Sequence, residues 1–280
     1  MIQRLFIKIS LLVSTMIVAG LCGAGEFIKP GEERLYFKAG VFLQNLDTTV
    51  EVKGGGSGEK VSLEDDLGYD DDDHTYMVGG YWRFASRHRI AIGYFESDRD
   101  AKGVANTDID IGEGETLPVG AGFDSKFNIK VLPVQYAYSF IKNDKFELAG
   151  TAGFHWYSID YKIAGAAGIG NIDVNARVSV DADAPMPLIG LGLDYYLTER
   201  WNFSLLGEAF WMNIDSGENL SFKGTIYNLQ ASTEYWIWNH LGVGAGLNYF
   251  ALDVDVDDSS WNGKLEYDYW GPQIYLTSRF

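Results

Sequence analysis

Residues 264–280 read KLEYDYWGPQIYLTSRF, with Trp270, Ile274, Leu276 and the final Phe280 at even spacings. A β-strand places all four on one face and puts Gln273 and Arg279 on the other. Pro272 and Gly271 break any helical reading of the stretch. The same period-2 alternation recurs upstream. It predicts ten strands, at 34–46, 75–84, 88–98, 124–140, 144–163, 185–197, 200–214, 221–237, 241–255 and 264–280. Each has an apolar face, for example Leu35, Phe37, Val41 and Leu43 in the first and Ile189, Leu191, Leu193, Tyr195 and Leu197 in the sixth. One strand changes phase. Phe127, Ile129 and Val131 share one face, Leu132, Val134, Tyr136 and Tyr138 share the other, and Pro133 sits at the crossover. This predicts a β-bulge at Val131–Pro133.

The connections alternate in length. Short ones are 85–87, 141–143, 198–199 and 238–240; long polar ones are 47–74, 99–123, 164–184, 215–220 and 256–263. A soluble sandwich has no reason to put every long loop at one end. An up-and-down barrel that crosses a membrane does, with short turns inside and long loops outside.

Composition agrees. The 280 residues carry 22 Lys+Arg against 39 Asp+Glu, a formal net charge of −17, which argues against nucleic acid as a partner. A single Cys excludes a disulfide framework and a Cys-rich zinc site. Aromatic residues make up 15%, and Tyr and Trp gather near strand ends, where membrane-interface girdles sit. Residues 1–24 have a basic flank (Arg4, Lys8), an apolar run (Ile9 to Leu21) and a small-residue end at Ala24. They read as a cleaved export signal. Loss of Arg4 and Lys8 leaves 20 basic against 39 acidic residues, a net charge of −19. Residues 25–33 are expected as a periplasmic N-terminal segment and 34–280 as the barrel. No later stretch reaches the ~18 apolar residues of a spanning helix.

The final strand resembles the C-terminal strand by which bacterial outer-membrane barrels are recognised for insertion; Ser278 departs from it, since an aromatic is commoner there. Over residues 33–280 the chain resembles small single-chain outer-membrane β-barrels of the broad OmpA-transmembrane, OmpX and OmpW kind. The segment Leu63-Glu64-Asp65-Asp66-Leu67-Gly68, ahead of a turn at Arg87-His88-Arg89, is similar to outer-membrane proteins of Gram-negative bacteria. The resemblance implies an all-β, transmembrane, antiparallel barrel of about ten strands, or eight if two are loop hairpins. It implies partners in outer-membrane lipid, lipopolysaccharide and, through Phe280, the barrel-assembly machinery. It brings no defined activity and no cofactor. A lipocalin-like soluble barrel is the competing fold.

Alternation places Lys38, Arg83, Arg89, Glu147, Asp194, Glu208, Glu234 and Arg279 in the lumen. Charges confined there need partners. They form either a structural ion-pair plug or a gate that opens a narrow channel by exchanging partners. His155 points inward beside Tyr157, while His88 and His240 fall in turns.

Residues 47–74 hold ten acids and two lysines. Asp70, Asp71, Asp72 and Asp73, with Asp255, Asp257 and Asp258 in the last loop region, are candidate ligands for divalent cations. They lack the spacing of a calcium loop, so a solvated acidic rim is the alternative, and no metal is firmly expected. Ten-stranded outer-membrane proteases use an Asp–His pair at the rim; His74 beside Asp70–Asp73 imitates one half of it. Gly54-Gly55-Gly56-Ser57-Gly58 is a flexible segment and not a phosphate cradle, because no helix follows. The sequence therefore predicts a non-enzymatic barrel with a structural or narrow-channel role, a loop-mediated surface binder as the second reading and a barrel enzyme acting at the rim or on lipid as the third.

Overall fold

The computed structural model describes residues 27–52, 59–105, 108–112, 115–169, 172–215, 220–258 and 262–280. The expected export signal at 1–24 and the glycine run at 54–58 lie outside them. Thirteen strands follow in order: β1 (Leu35–Val52), β2 (Glu59–Ser62), β3 (Asp72–Ala85), β4 (His88–Val104), β5 (Ile109–Gly112), β6 (Glu115–Leu117), β7 (Gly122–Lys142), β8 (Phe146–Ile169), β9 (Ile172–Tyr196), β10 (Trp201–Asp215), β11 (Leu220–Trp236), β12 (Leu241–Asp258) and β13 (Asn262–Arg279).

Ten of these close an antiparallel barrel, running β1-β3-β4-β7-β8-β9-β10-β11-β12-β13. The seam closes where β13 pairs β1 from Tyr36↔Arg279 to Val52↔Gly263. Phe280 fixes that seam. Its N–H donates to the Leu35 carbonyl, and its own carbonyl accepts from the Arg34 and Leu35 amides. The His240 ring stacks on Phe280 with centroids 5.2 Å apart, so His240 belongs to the end clamp. Short β2 pairs the upper part of β1, and β5 pairs β6 as a separate hairpin.

Two expectations need correction. First, most of the long loops are strand. β8 and β9 pair continuously from Phe146↔Tyr195 to Ile169↔Ile172, so 164–184 is the top of a hairpin. A 24-residue strand such as β8 is about 80 Å long at ~3.3 Å per residue, while crossing needs only ~9–11 residues. Over half of it therefore stands clear of lipid. Second, there is no bulge at Val131–Pro133. The β7–β8 register is unbroken through Val131↔Tyr157, Leu132↔Trp156 and Pro133↔His155, and it slips only between Ser139 and Ile141.

The apparent phase change has another cause. Odd residues of β7 face inward along its length: Phe127, Ile129 and Val131 above, then Ala137 and Ser139 below, all buried. What inverts is polarity. Above Leu132 the inner face is apolar and the outer face carries Lys126, Asn128 and Lys130. Below it the outer face is Leu132, Tyr136, Tyr138 and Phe140, all exposed. The lower barrel is built for lipid and the upper barrel for water, with an ordinary apolar core.

That core holds Phe42, Leu46, Phe127, Ile129, Tyr157, Phe250, Leu252, Tyr267 and Tyr269, each at most 4% exposed. Residues 62–69 fold into it as one capped helical turn. The Asp65 amide donates to Ser62 Oγ at its start. At its end Gly68 N–H reaches the Glu64 carbonyl and Tyr69 N–H the Leu63 carbonyl, with Gly68 at φ +68°. Leu63, Leu67 and Tyr69 are thereby buried. The motif Leu63–Gly68, expected in an acidic loop, is an inward plug.

Candidate functional site

The lumen is organised in three layers. The floor lies at the end carrying the short turns, and its centre is Glu147, 0% exposed. Arg83 grips it through two parallel hydrogen bonds, Nη1–Oε1 at 2.9 Å and Nη2–Oε2 at 3.0 Å. Ser139 Oγ and Tyr196 Oη donate to the same carboxylate. Arg89 stands 3.7 Å from Glu147 and donates to Asp194 at 3.0 Å. Alternation puts these groups on inward positions of β3, β4, β8 and β9, and the barrel's curvature brings them together. Of the expected lumen charges, Arg83, Arg89, Glu147 and Asp194 form this one network.

The other expected charges stand apart from it. Glu234 accepts from Tyr36 Oη, Tyr275 Oη at 3.2 Å and Asn202 Nδ2 at 3.4 Å. Arg279 makes no carboxylate pair among the described residues. It donates to the carbonyls of Asn239 (3.1 Å) and Glu199 (3.4 Å) and lies 4.1 Å from the Trp236 ring. Lys38 sits 5.3 Å from the Tyr275 ring. Glu208 is higher, held by Gln135 Nε2 at 2.7 Å, Asn228 Nδ2 at 2.9 Å and Thr151 Oγ1 at 3.1 Å. His155 Nε2 is 4.0 Å from Glu208, and its Nδ1 is 3.4 Å from Tyr157 Oη.

The sequence reading missed Glu33. It accepts from Arg83 Nη2 at 3.0 Å and Tyr81 Oη at 2.6 Å. Residues 27–34, expected as a plain periplasmic segment, contribute to the floor. The Ile28 amide donates to Asn239 Oδ1 at 2.6 Å, the Arg200 guanidinium lies 4.4 Å from the Phe27 ring, and Lys142 Nζ reaches the Gly31 carbonyl at 2.7 Å. Tyr36 and Tyr81 were legible in principle, since they share parity with Lys38 and Arg83.

Within the floor, beside the Arg83–Glu147 pair, lies a cavity of about 150 Å³ lined by Gly31, Glu33, Lys38, Asp194, Glu234 and Arg279. A mid-barrel cavity of about 290 Å³ adjoins it, lined by Lys38, Gln135, His155, Asn248 and Gln273. The roof is the apolar core with its plug. Among the described residues its one buried ion pair is Arg99 Nη1–Glu64 Oε1 at 2.6 Å, with Arg99 Nη2 also donating to Thr48 Oγ1 and the guanidinium near the Tyr69 and Phe127 rings.

At the outer rim His74 is exposed and faces outward, paired across from Leu43. The cleft-facing geometry of a rim protease therefore does not form there. Asp70, Asp71 and Asp72 are exposed, and Asp73 accepts from Ser97 Oγ at 2.6 Å. Among the described residues no three acids or histidines converge as a metal site. Asp255 lies on β12, paired with Lys223 and Lys264; the side chains of Asp257 and Asp258 lie outside the described set. Nearby, the Lys264 ammonium bridges Glu266 and Asp253, and that hydrogen bond holds the Glu266 carboxyl below its ordinary range.

No family model and no curated protein matches the chain. Solved structures do. The outer membrane protease OmpT from Escherichia coli aligns over 92% of this chain and 99% of its own, at 9% identity and TM-score 0.59. The toluene transporter TodX of P. putida covers 91% of this chain and 93% of its own at 10% identity and TM-score 0.37. The attachment invasion locus protein Ail of Yersinia pestis covers 89% and 99% at 9% identity and TM-score 0.33. At such identities the likeness to OmpT concerns fold alone. The chain is a closed, ten-stranded, antiparallel β-barrel of the outer-membrane type.

Proposed function

We propose that this chain is a bacterial outer-membrane barrel with a structural role, shut at rest, and neither an open pore nor an enzyme. The observation that carries the reading is the floor. Arg83 and Glu147, at 4% and 0% exposure, lock each other across the mouth through a bidentate pair. The packed aromatic roof closes the other end. The lipid-facing side of the lower barrel supports the location, with Trp82, Ile92, Ile189, Leu191, Leu205 and Leu229 all more than half exposed. Phe280, fixed at the seam, is the handle offered to the assembly machinery. The upper barrel is then a rigid acidic platform, and its exposed acids, Asp70 to Asp72 among them, are the surface offered to divalent cations that bridge lipopolysaccharide phosphates.

Planar-bilayer recording tests the resting state. The wild-type protein gives a flat current trace over a range of voltages, and Glu147→Ala alone stays flat because the roof is still packed. Stepwise conductance in the wild type overturns the shut reading and favours the narrow channel, for which Arg89 already stands between two carboxylates.

A further inference from the structure

The wall of the barrel has an open seam between β9 and β10. Their ladder runs from Asn202↔Tyr196 only to Ala209↔Ile189. Yet β9 continues to Ile172 on its β8 side, and β10 continues to Asp215 on its β11 side. The β3–β4 ladder also stops early, at Met77↔Phe95, but Thr75 Oγ1 and Ser97 Oγ there hydrogen-bond across. Among the described residues no ladder pair joins Ala184–Leu188 to Phe210–Asn213.

Pro185 and Pro187 account for the break. The β8–β9 ladder passes through Trp156↔Pro185, His155↔Met186 and Phe154↔Pro187 without interruption. That requires Met186 to supply the hydrogen bonds to β8. Both proline nitrogens therefore face β10, and neither carries a hydrogen. Their carbonyls face the same way. The β9 edge offers acceptors only, and the opposing β10 edge, Phe210 to Asn213, is unpaired on this side.

The seam sits at one height in the wall. Trp211, 69% exposed, belongs to the upper aromatic belt with Trp156, Tyr227, Tyr249 and Trp270. Lower on β10, at Leu205 to Gly207, begins a concavity of about 660 Å³ that extends across β11 and β12 to Trp270 of β13. Leu205, Leu229, Leu247 and Tyr249 form its sides, and the small residues Gly207 and Ala231 leave its hollow. A Cβ on Gly207 would meet nothing nearer than Leu229 Cδ2 at 3.5 Å.

An open strand edge at a membrane interface needs polar partners, and an apolar hollow beneath it needs an apolar one. One molecule satisfies both if it has an acyl chain and a head rich in hydroxyl donors. Donors are required by the acceptor-only proline edge, which a choline phosphodiester head cannot serve. We propose that the seam and the hollow together bind an acylated glycolipid of the outer leaflet, its chain along Gly207 and Ala231 and its sugar hydroxyls against the Pro185 and Pro187 carbonyls. The proposal rests on the outer-membrane reading above.

Native mass spectrometry of the detergent-solubilised full barrel tests it, with purified lipid A and dimyristoyl phosphatidylcholine as probes. The wild type is expected to retain one lipid A at concentrations where phosphatidylcholine is retained at least tenfold less. Gly207→Leu fills the hollow, and Pro187→Val restores an N–H to the β9 edge; each is expected to reduce lipid A retention at least tenfold. Heat-modifiable gel mobility, read alongside, reports the barrel itself. Its absence in the wild type defeats the outer-membrane reading; its presence in every variant isolates the lipid question. No lipid A on the wild type, equal retention of both lipids, or unchanged retention in both variants overturns the proposal.

Discussion

Glu147 takes two guanidinium hydrogens, a serine hydroxyl and a tyrosine hydroxyl inside a wall that solvent does not reach. Removing such an acceptor leaves Arg83 with Glu33 and Arg89 with Asp194 as their remaining carboxylates in a confined space. Breaking one partner of a buried pair costs about 3–5 kcal/mol, whereas replacing the pair by apolar groups of similar size is close to neutral. Glu147→Ala should therefore lower the free energy of unfolding from lipid vesicles, read from urea titration, by an amount in that range. Arg83→Met combined with Glu147→Leu and Glu33→Gln, which removes the paired charges together, should recover most of it. Equal losses in the two variants would mean that packing, and not charge, holds the floor. The sequence made much of this floor legible, because strict alternation put Arg83, Arg89, Glu147 and Asp194 on inward positions. Glu33 stayed hidden because residues 27–34 have no period to read. The partners of Arg279 stayed hidden for a different reason: they are backbone carbonyls, which carry no residue signature.

The helical turn at 62–69 contradicts the pattern around it. Ten acids and two lysines across 47–74 read as a solvated loop, and the leucines at 63 and 67 were absorbed into that reading. Their i, i+4 spacing, with Ser62 before and Gly68 after, is a helix-turn signature that strand alternation masks. Gly68 holds the end of the turn at φ +68°, a conformation that costs a residue with a Cβ about 1–2 kcal/mol. No atom would crowd that Cβ, so the cost is purely conformational. Gly68→Ala should therefore loosen the plug without harming the barrel. Limited proteolysis should show faster nicking between Ser62 and Tyr69 while the heat-modifiable mobility is unchanged. Unchanged nicking would show that burial of Leu63, Leu67 and Tyr69 fixes the plug regardless of its capping glycine.

At the scale of the molecule, the polarity inversion sets where the membrane ends. The number of barrel strands and which residues share a face were legible from period 2. The height of the barrel was not, because alternation says which residues oppose one another and is silent on which side holds the water. In β7 this silence produced a false bulge, and in β8 and β9 it turned strand into loop. The boundary the structure implies runs along Leu132, Trp156, Trp211, Tyr249 and Trp270, with Lys126, Asp160, Lys162 and Glu266 outside it. Cysteine labelling on intact cells checks this directly, since the only cysteine in the sequence is Cys22, within the stretch expected to be an export signal. Lys126→Cys and Asp160→Cys should react with a membrane-impermeant maleimide within minutes, and Tyr136→Cys and Ile189→Cys should not. Both outer positions lie on strands that the loop-based reading places within the barrel span. Protection at Lys126→Cys would therefore move the boundary upward and return the upper strands to the lipid.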